Sequence, residues 1–122
     1  MSKKVINTEL APTPIGPYSQ AIKAGNLLFI SGQISLQEAG VPDITMETAQ
    51  VMGHLQAILK EAGMTFANVV KSTIFLKDMH LFSIVNEEYG KYFPADFPAR
   101  ETVAVKGLPK DVNVEISMIA CE

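Results

Sequence analysis

The chain has 122 residues, 48% hydrophobic and 19% charged, with a formal net charge of −3. That length fits one domain over residues 1–122, able to bury a core without disulfides or a metal. A single cysteine excludes an intrachain disulfide, no Cys/His cluster has zinc-site spacing, and the acidic balance without a Lys/Arg run argues against nucleic acid as the main partner.

No apolar stretch approaches the roughly 20 residues of a membrane span, and the opening Met1–Asn7 lacks the apolar core of a signal peptide. A cytoplasmic location is therefore expected. So small a charge content also points to a surface shared with other subunits.

Lys3–Asn7 reads as a short first strand. Ala11–Gln20 carries three prolines and a glycine, so it is an ordered extended loop. Ala21–Ala24 and Leu27–Ser31 flank Gly25-Asn26, a dipeptide suited to a two-residue hairpin turn. The unbroken apolar run from Leu27 to Ile30 predicts a strand buried on both faces. A loop follows from Gly32 to about Ile44.

Met52, Leu55, Leu59 and Ala62 then recur at helical spacing, predicting a helix over Thr45–Ala62. Asp43 or Thr45 caps its start, and Gly63 suits its end. Gly53 inside it predicts close packing. Val69–Leu76 is β-branched and strand-like. Asp78 caps a second helix whose stripe is Phe82, Val85, Tyr89 and Phe93, ending before Pro94. Strands Ala99–Val105 and Val112–Ala120 close the chain. Both helices are expected on one face of a six-stranded, mostly antiparallel sheet, an α+β architecture.

The last two strands read as a hairpin pairing Val105 with Val112 and Val103 with Val114. Alternation then sets Val103, Val105, Val112, Val114, Ile116 and Met118 on one apolar face. Arg100, Thr102, Ala104, Asn113, Glu115 and Ser117 share the other face, with Arg100 one diagonal step from Glu115. One reading is an exposed ion pair without function. The other is a desolvated pair at a subunit boundary, where an Arg fork binds a carboxylate and Glu115 moves protons.

Ile15–Ala21 (IGPYSQA), Leu28–Ile34 (LFISGQI), Val85–Tyr89 (VNEEY), Phe97–Arg100 (FPAR) and Leu108–Ile116 (LPKDVNVEI) resemble, in order and spacing, the signatures of the reactive-intermediate deaminase (RidA, YjgF-like) family. The resemblance spans nearly the whole chain. It implies a chorismate-mutase-like fold and a homotrimer with a central barrel-like core and a site in each intersubunit cleft. It also implies cofactor-free and metal-free hydrolysis of enamines or imines such as 2-aminoacrylate.

By the same resemblance, Arg100 grips the substrate carboxylate and Glu115 positions the attacking water. Tyr18, Ser31, Gly32 and Asn86 line the pocket. Many members have Ser-Cys-Val after the arginine; here the residues are Glu101, Thr102 and Val103, so Thr102 stands where those members carry a pocket cysteine. The loop after Ile34 is short, which bears on substrate choice.

Without the motif, Tyr18 reads as a packed aromatic on a Pro-rich loop, and Asn86 as a local hydrogen-bonding group. His54 and His80 share no spacing with a second ligand; the first is expected on a helix surface and the second in a helix's first turn. Ser31 lacks a His or acidic partner in sequence. A non-catalytic trimer sensing oxo or amino acids through Arg100 is the alternative function. An RNA-directed role, suggested by labels some family members carry, conflicts with the acidic balance.

Overall fold

A computed structural model describes residues 2–37 and 42–122. Six strands and two helices follow in the expected order: β1 (Lys3–Ile6), β2 (Ala21–Ala24), β3 (Leu27–Gln33), α1 (Ile44–Glu61), β4 (Val69–Leu76), α2 (Phe82–Gly90), β5 (Ala99–Ala104) and β6 (Val114–Cys121). The loop expected between Gly32 and Ile44 is in part β3 and in part residues 38–41, which lie outside the described residues; the short-loop reading therefore goes untested.

Local chemistry accounts for these elements. Gly25 takes φ +61 and lets β2 turn into β3, with Ala24 opposite Leu27. The Asp43 carboxylate accepts the Met46 N–H at 3.0 Å and caps α1. Gly63, at φ +75, releases the chain after it. Val51, Met52, Leu55, Ile58 and Leu59 turn inward. Gly53 is exposed, and a Cβ built on it would meet none of the described residues outside its own helix within 4 Å, so the close packing expected there is absent among them. Asp78 caps a short 3₁₀ turn, Met79–Leu81, from which α2 continues; α2 stops at Gly90, earlier than its apolar stripe suggested.

The sheet runs β1-β2-β3-β6-β4-β5. Every pairing is antiparallel except β4 with β5. Both helices cover one face, where Leu28, Ile30, Ile74, Leu76, Val114, Ile116 and Met118 meet α1 and α2. Among the described residues no helix is long and apolar enough to cross a membrane.

The expected hairpin between the last two strands does not form. β4 lies between them, pairing Ser72 with Arg100 on one side and Met118 on the other. Burial explains the order. β6, and β4 from Ser72 onward, alternate between buried and half-buried residues and take central places. β5 carries Arg100, Glu101 and Thr102 and tolerates an edge, where its outer backbone groups meet water. The connection of residues 105–113 is no tight turn; Lys110 and Asp111 both sit at φ 56 within it.

The faces change accordingly. Arg100 and Thr102 align with Ser72 and Ile74 on the helix side, whereas Val103 aligns with Phe75 on the open side. Glu115 also aligns with Phe75 on the open side. Within β3, Leu28 and Ile30 are buried and Phe29 is 43% exposed on the open face, so burial on both faces is not met within one chain.

Candidate active-site residues lie on opposite faces of one sheet

Arg100 belongs to the edge strand and faces α2. Its guanidinium carbon stands 5.1 Å from the centre of the Tyr89 ring and 5.7 Å from that of Phe82. Among the described residues no carboxylate pairs with it. It lines a cavity of roughly 320 Å³ with Asn86, Tyr89, Gly90, Phe97 and Pro98. The Tyr89 hydroxyl donates to Ser72 Oγ at 2.9 Å, and burial pushes that phenol above its ordinary pKa. Thr102, two residues along the same face, has a buried Oγ1 without a partner.

Glu115 stands on the other face. The β3–β6 register shifts between Ile30 and Gln33, and Gly32 lies in that irregularity. A methyl group built on Gly32 would overlap Glu115 Oε2 and come within 2.8 Å of its Cδ. The side chain therefore occupies the space that glycine leaves. Burial raises the Glu115 pKa above the ordinary glutamate value.

The Pro-rich loop is pinned beside this half. The Ser31 hydroxyl donates to the Ser19 carbonyl at 2.6 Å, and the Ser31 N–H to the Gln20 carbonyl at 2.9 Å. Tyr18 follows a turn at Gly16 and is 53% exposed. It lines a second cleft of roughly 550 Å³ with Ile34, Leu36, His54 and Lys110. His54, expected on the helix surface, is half-buried instead. Its Nδ1 is buried without a partner among the described residues, and burial lowers its pKa, so the imidazole is neutral near pH 7.

The seven residues singled out in the sequence thus fall into two groups. Tyr18, Ser31, Gly32 and Glu115 belong to one region; Arg100, Asn86 and Thr102 belong to another. Within the chain Arg100 and Glu115 point to opposite sheet faces with β4 between their strands, so the expected diagonal contact does not exist.

Two supporting residues escaped the sequence reading. Glu47, 1% exposed, accepts the Asn113 N–H and Nδ2 at 2.8 Å each and the Val114 N–H at 3.1 Å, clamping β6 just before Glu115. Buried Gln20 holds the Pro-rich loop through Thr8 and Pro12. An acid on an otherwise apolar helical stripe was the available signal for Glu47. Gln20 lay inside a quoted motif but carried no chemistry of its own. Among the described residues no three His, Cys, Asp or Glu side chains gather as a metal set would.

A family described as Endoribonuclease L-PSP matches residues 8–122, and the chain belongs to that family, which is the one its motifs resemble. A RutC family protein of Pyrococcus horikoshii is 52% identical over 97% of each chain. Reactive Intermediate Deaminase A, chloroplastic, of Arabidopsis thaliana is 47% identical over 98% of this chain and 66% of its own length. The crystal structure of E. coli TdcF with bound serine superposes with a TM-score of 0.90 at 36% identity, covering 98% of each chain.

Proposed function

We propose that the protein is an enamine/imine deaminase, hydrolysing 2-aminoacrylate-type intermediates to 2-oxo acids and ammonia. The observation that carries this reading is the split itself. An unpaired guanidinium in a cleft and a desolvated carboxylate beside a glycine stand on opposite faces of one sheet. A second protomer would bring one half against the other. The family name borne by the Arabidopsis relative supports the chemistry.

The assembly we propose is a chorismate-mutase-like homotrimer of one-domain chains in the cytoplasm. The open sheet faces turn inward to form its barrel-like core. Phe29 and Val103, 43% and 42% exposed on that face, support it, as does the scarcity of charge in the chain.

Arg100 would grip the substrate carboxylate through its N–H fork. Glu115, as carboxylate, would hold a water against the imine carbon, already polarised by nitrogen. The water adds and one of its protons passes through Glu115 to the nitrogen, giving a carbinolamine; the hydroxyl proton then follows the same route to the amine as the carbon–nitrogen bond breaks, leaving the oxo acid and ammonia. Tyr18, Ser31, Gly32 and Asn86 would line the cleft, with Thr102 beside Arg100. This chemistry asks for no cofactor and no metal.

Subunit mixing tests the reading. Arg100→Ala and Glu115→Gln proteins should each be nearly inactive on imines generated by an amino-acid oxidase. Mixed after unfolding and refolding together, they should regain activity at roughly a quarter of the sites, because each site draws on two chains. Two dead variants that stay dead on mixing would count against a shared site. Serine bound to TdcF favours a second reading, a trimer that binds amino or oxo acids without turnover. Saturable oxo-acid binding with no faster imine hydrolysis would select it.

A further inference from the structure

We infer that Tyr89 and Phe82 are positioning residues, holding the Arg100 guanidinium by its flat faces so that its in-plane N–H donors stay free for a ligand carboxylate. The inference rests on the role proposed above for Arg100 and adds how that group is kept ready.

An arginine on an edge strand has a long, mobile side chain. Gripping a ligand would cost it much rotamer freedom unless something held it first. An acidic neighbour would hold it, but would occupy the same donors and cancel the charge. Here no such neighbour exists among the described residues. Two aromatic rings lie within 6 Å of its centre instead. A ring attracts a guanidinium through its face and leaves the N–H edge uncommitted.

The rings are themselves fixed. Tyr89 is 3% exposed, its hydroxyl bonds Ser72 Oγ at 2.9 Å, and its ring packs on Phe93 with centroids 4.8 Å apart. Ser72 is the residue paired with Arg100 in the parallel β4–β5 register. The tyrosine is thereby anchored to the strand next to its arginine. Phe82 opens α2, the helix that crosses from β4 to β5. The connection that makes the parallel pairing therefore also carries both rings to the guanidinium.

The test uses full-length protein with Tyr89→Leu, Tyr89→Phe and Phe82→Leu, each also in an Arg100→Ala background. Two quantities are measured: kcat/KM for an oxidase-generated imine, and Kd for 2-oxobutanoate as a carboxylate probe. Tyr89→Leu and Phe82→Leu should each weaken 2-oxobutanoate binding and raise KM roughly three- to thirtyfold, with a smaller change in kcat. Tyr89→Phe keeps the ring face but loses the anchoring bond to Ser72, and its loss should be clearly smaller than that of Tyr89→Leu. In the Arg100→Ala background the ring substitutions should add almost nothing, which a merely structural role would not produce.

Phe82 sits at the surface, so Phe82→Leu keeps the test alive if Tyr89→Leu fails to fold. Folded ring variants with wild-type Kd and KM would overturn the inference, as would equal losses with and without Arg100. Wild-type protein that neither binds the oxo acid nor hydrolyses imines would instead bring down the proposed function, and the inference with it.

Discussion

The Glu115 side chain lies over Gly32, filling the volume that a Cβ would take on any other residue. A glycine at this point in β3 therefore sets where a carboxylate on β6 can stand. Gly32→Ala should push that carboxylate aside. The clashing atoms end a flexible side chain, so the fold should survive with only a small change in Tm. A displacement of about 1 Å at a reacting group costs on the order of a hundredfold in rate. The expected result is a kcat loss of at least about tenfold in the imine assay. A folded Gly32→Ala protein with wild-type kcat would mean that the position of Glu115 does not matter.

Among the described residues Arg100 has no ionic partner, so removing it leaves no buried countercharge among them. Arg100→Ala should lose a charge-assisted contact to ligand of about 1.5–3 kcal/mol, roughly ten- to a hundredfold in kcat/KM. Its oligomeric state, measured by sedimentation or scattering, should match that of the wild type. Arg100→Lys should recover only part of the loss, because an ammonium lacks the planar fork. Full turnover by the alanine variant would remove Arg100 from the site.

Burial raises the Glu115 carboxyl above its ordinary glutamate value. If the carboxylate is the working form, kcat/KM should fall as pH drops through that raised pKa, and Glu115→Gln should remove this acid limb along with most activity. Stability runs the other way. A raised folded pKa means that the folded state holds the proton more tightly. Its contribution is full below the unfolded pKa and fades as pH rises through the folded one. At neutral pH, Glu115→Gln should therefore be no less stable than wild type in urea unfolding. An acid limb lying at or below the ordinary glutamate value would contradict the assignment.

Glu47 anchors the strand that carries Glu115. Its buried carboxylate accepts three N–H groups from Asn113 and Val114. Glu47→Ala would leave the two main-chain donors without partners inside the protein. The expected cost is about 2–4 kcal/mol in urea unfolding. A loss below about 0.5 kcal/mol would mean that water replaces the carboxylate freely.

Much of this architecture was legible beforehand because its signals are local. Gly25-Asn26 fixed a hairpin through backbone sterics, and Asp43 and Gly63 bounded α1 through capping chemistry. The side of the sheet on which β6 turns Val114, Ile116 and Met118 followed from alternation alone. The motifs around Tyr18, Gly32, Arg100 and Glu115 named the family, whose match covers residues 8–122.

Strand partnership was not legible. Two adjacent strands with alternating patterns read as a hairpin, because proximity in sequence is the only partner information that a single chain shows. The sequence by itself determined which residues are strand, helix and turn, since those depend on neighbours a few positions away. Tertiary structure alone decided that β4 separates β5 from β6, and so put Arg100 and Glu115 on opposite faces. That choice depends on which strands bury the most apolar surface at the sheet's centre, a comparison made across the whole fold.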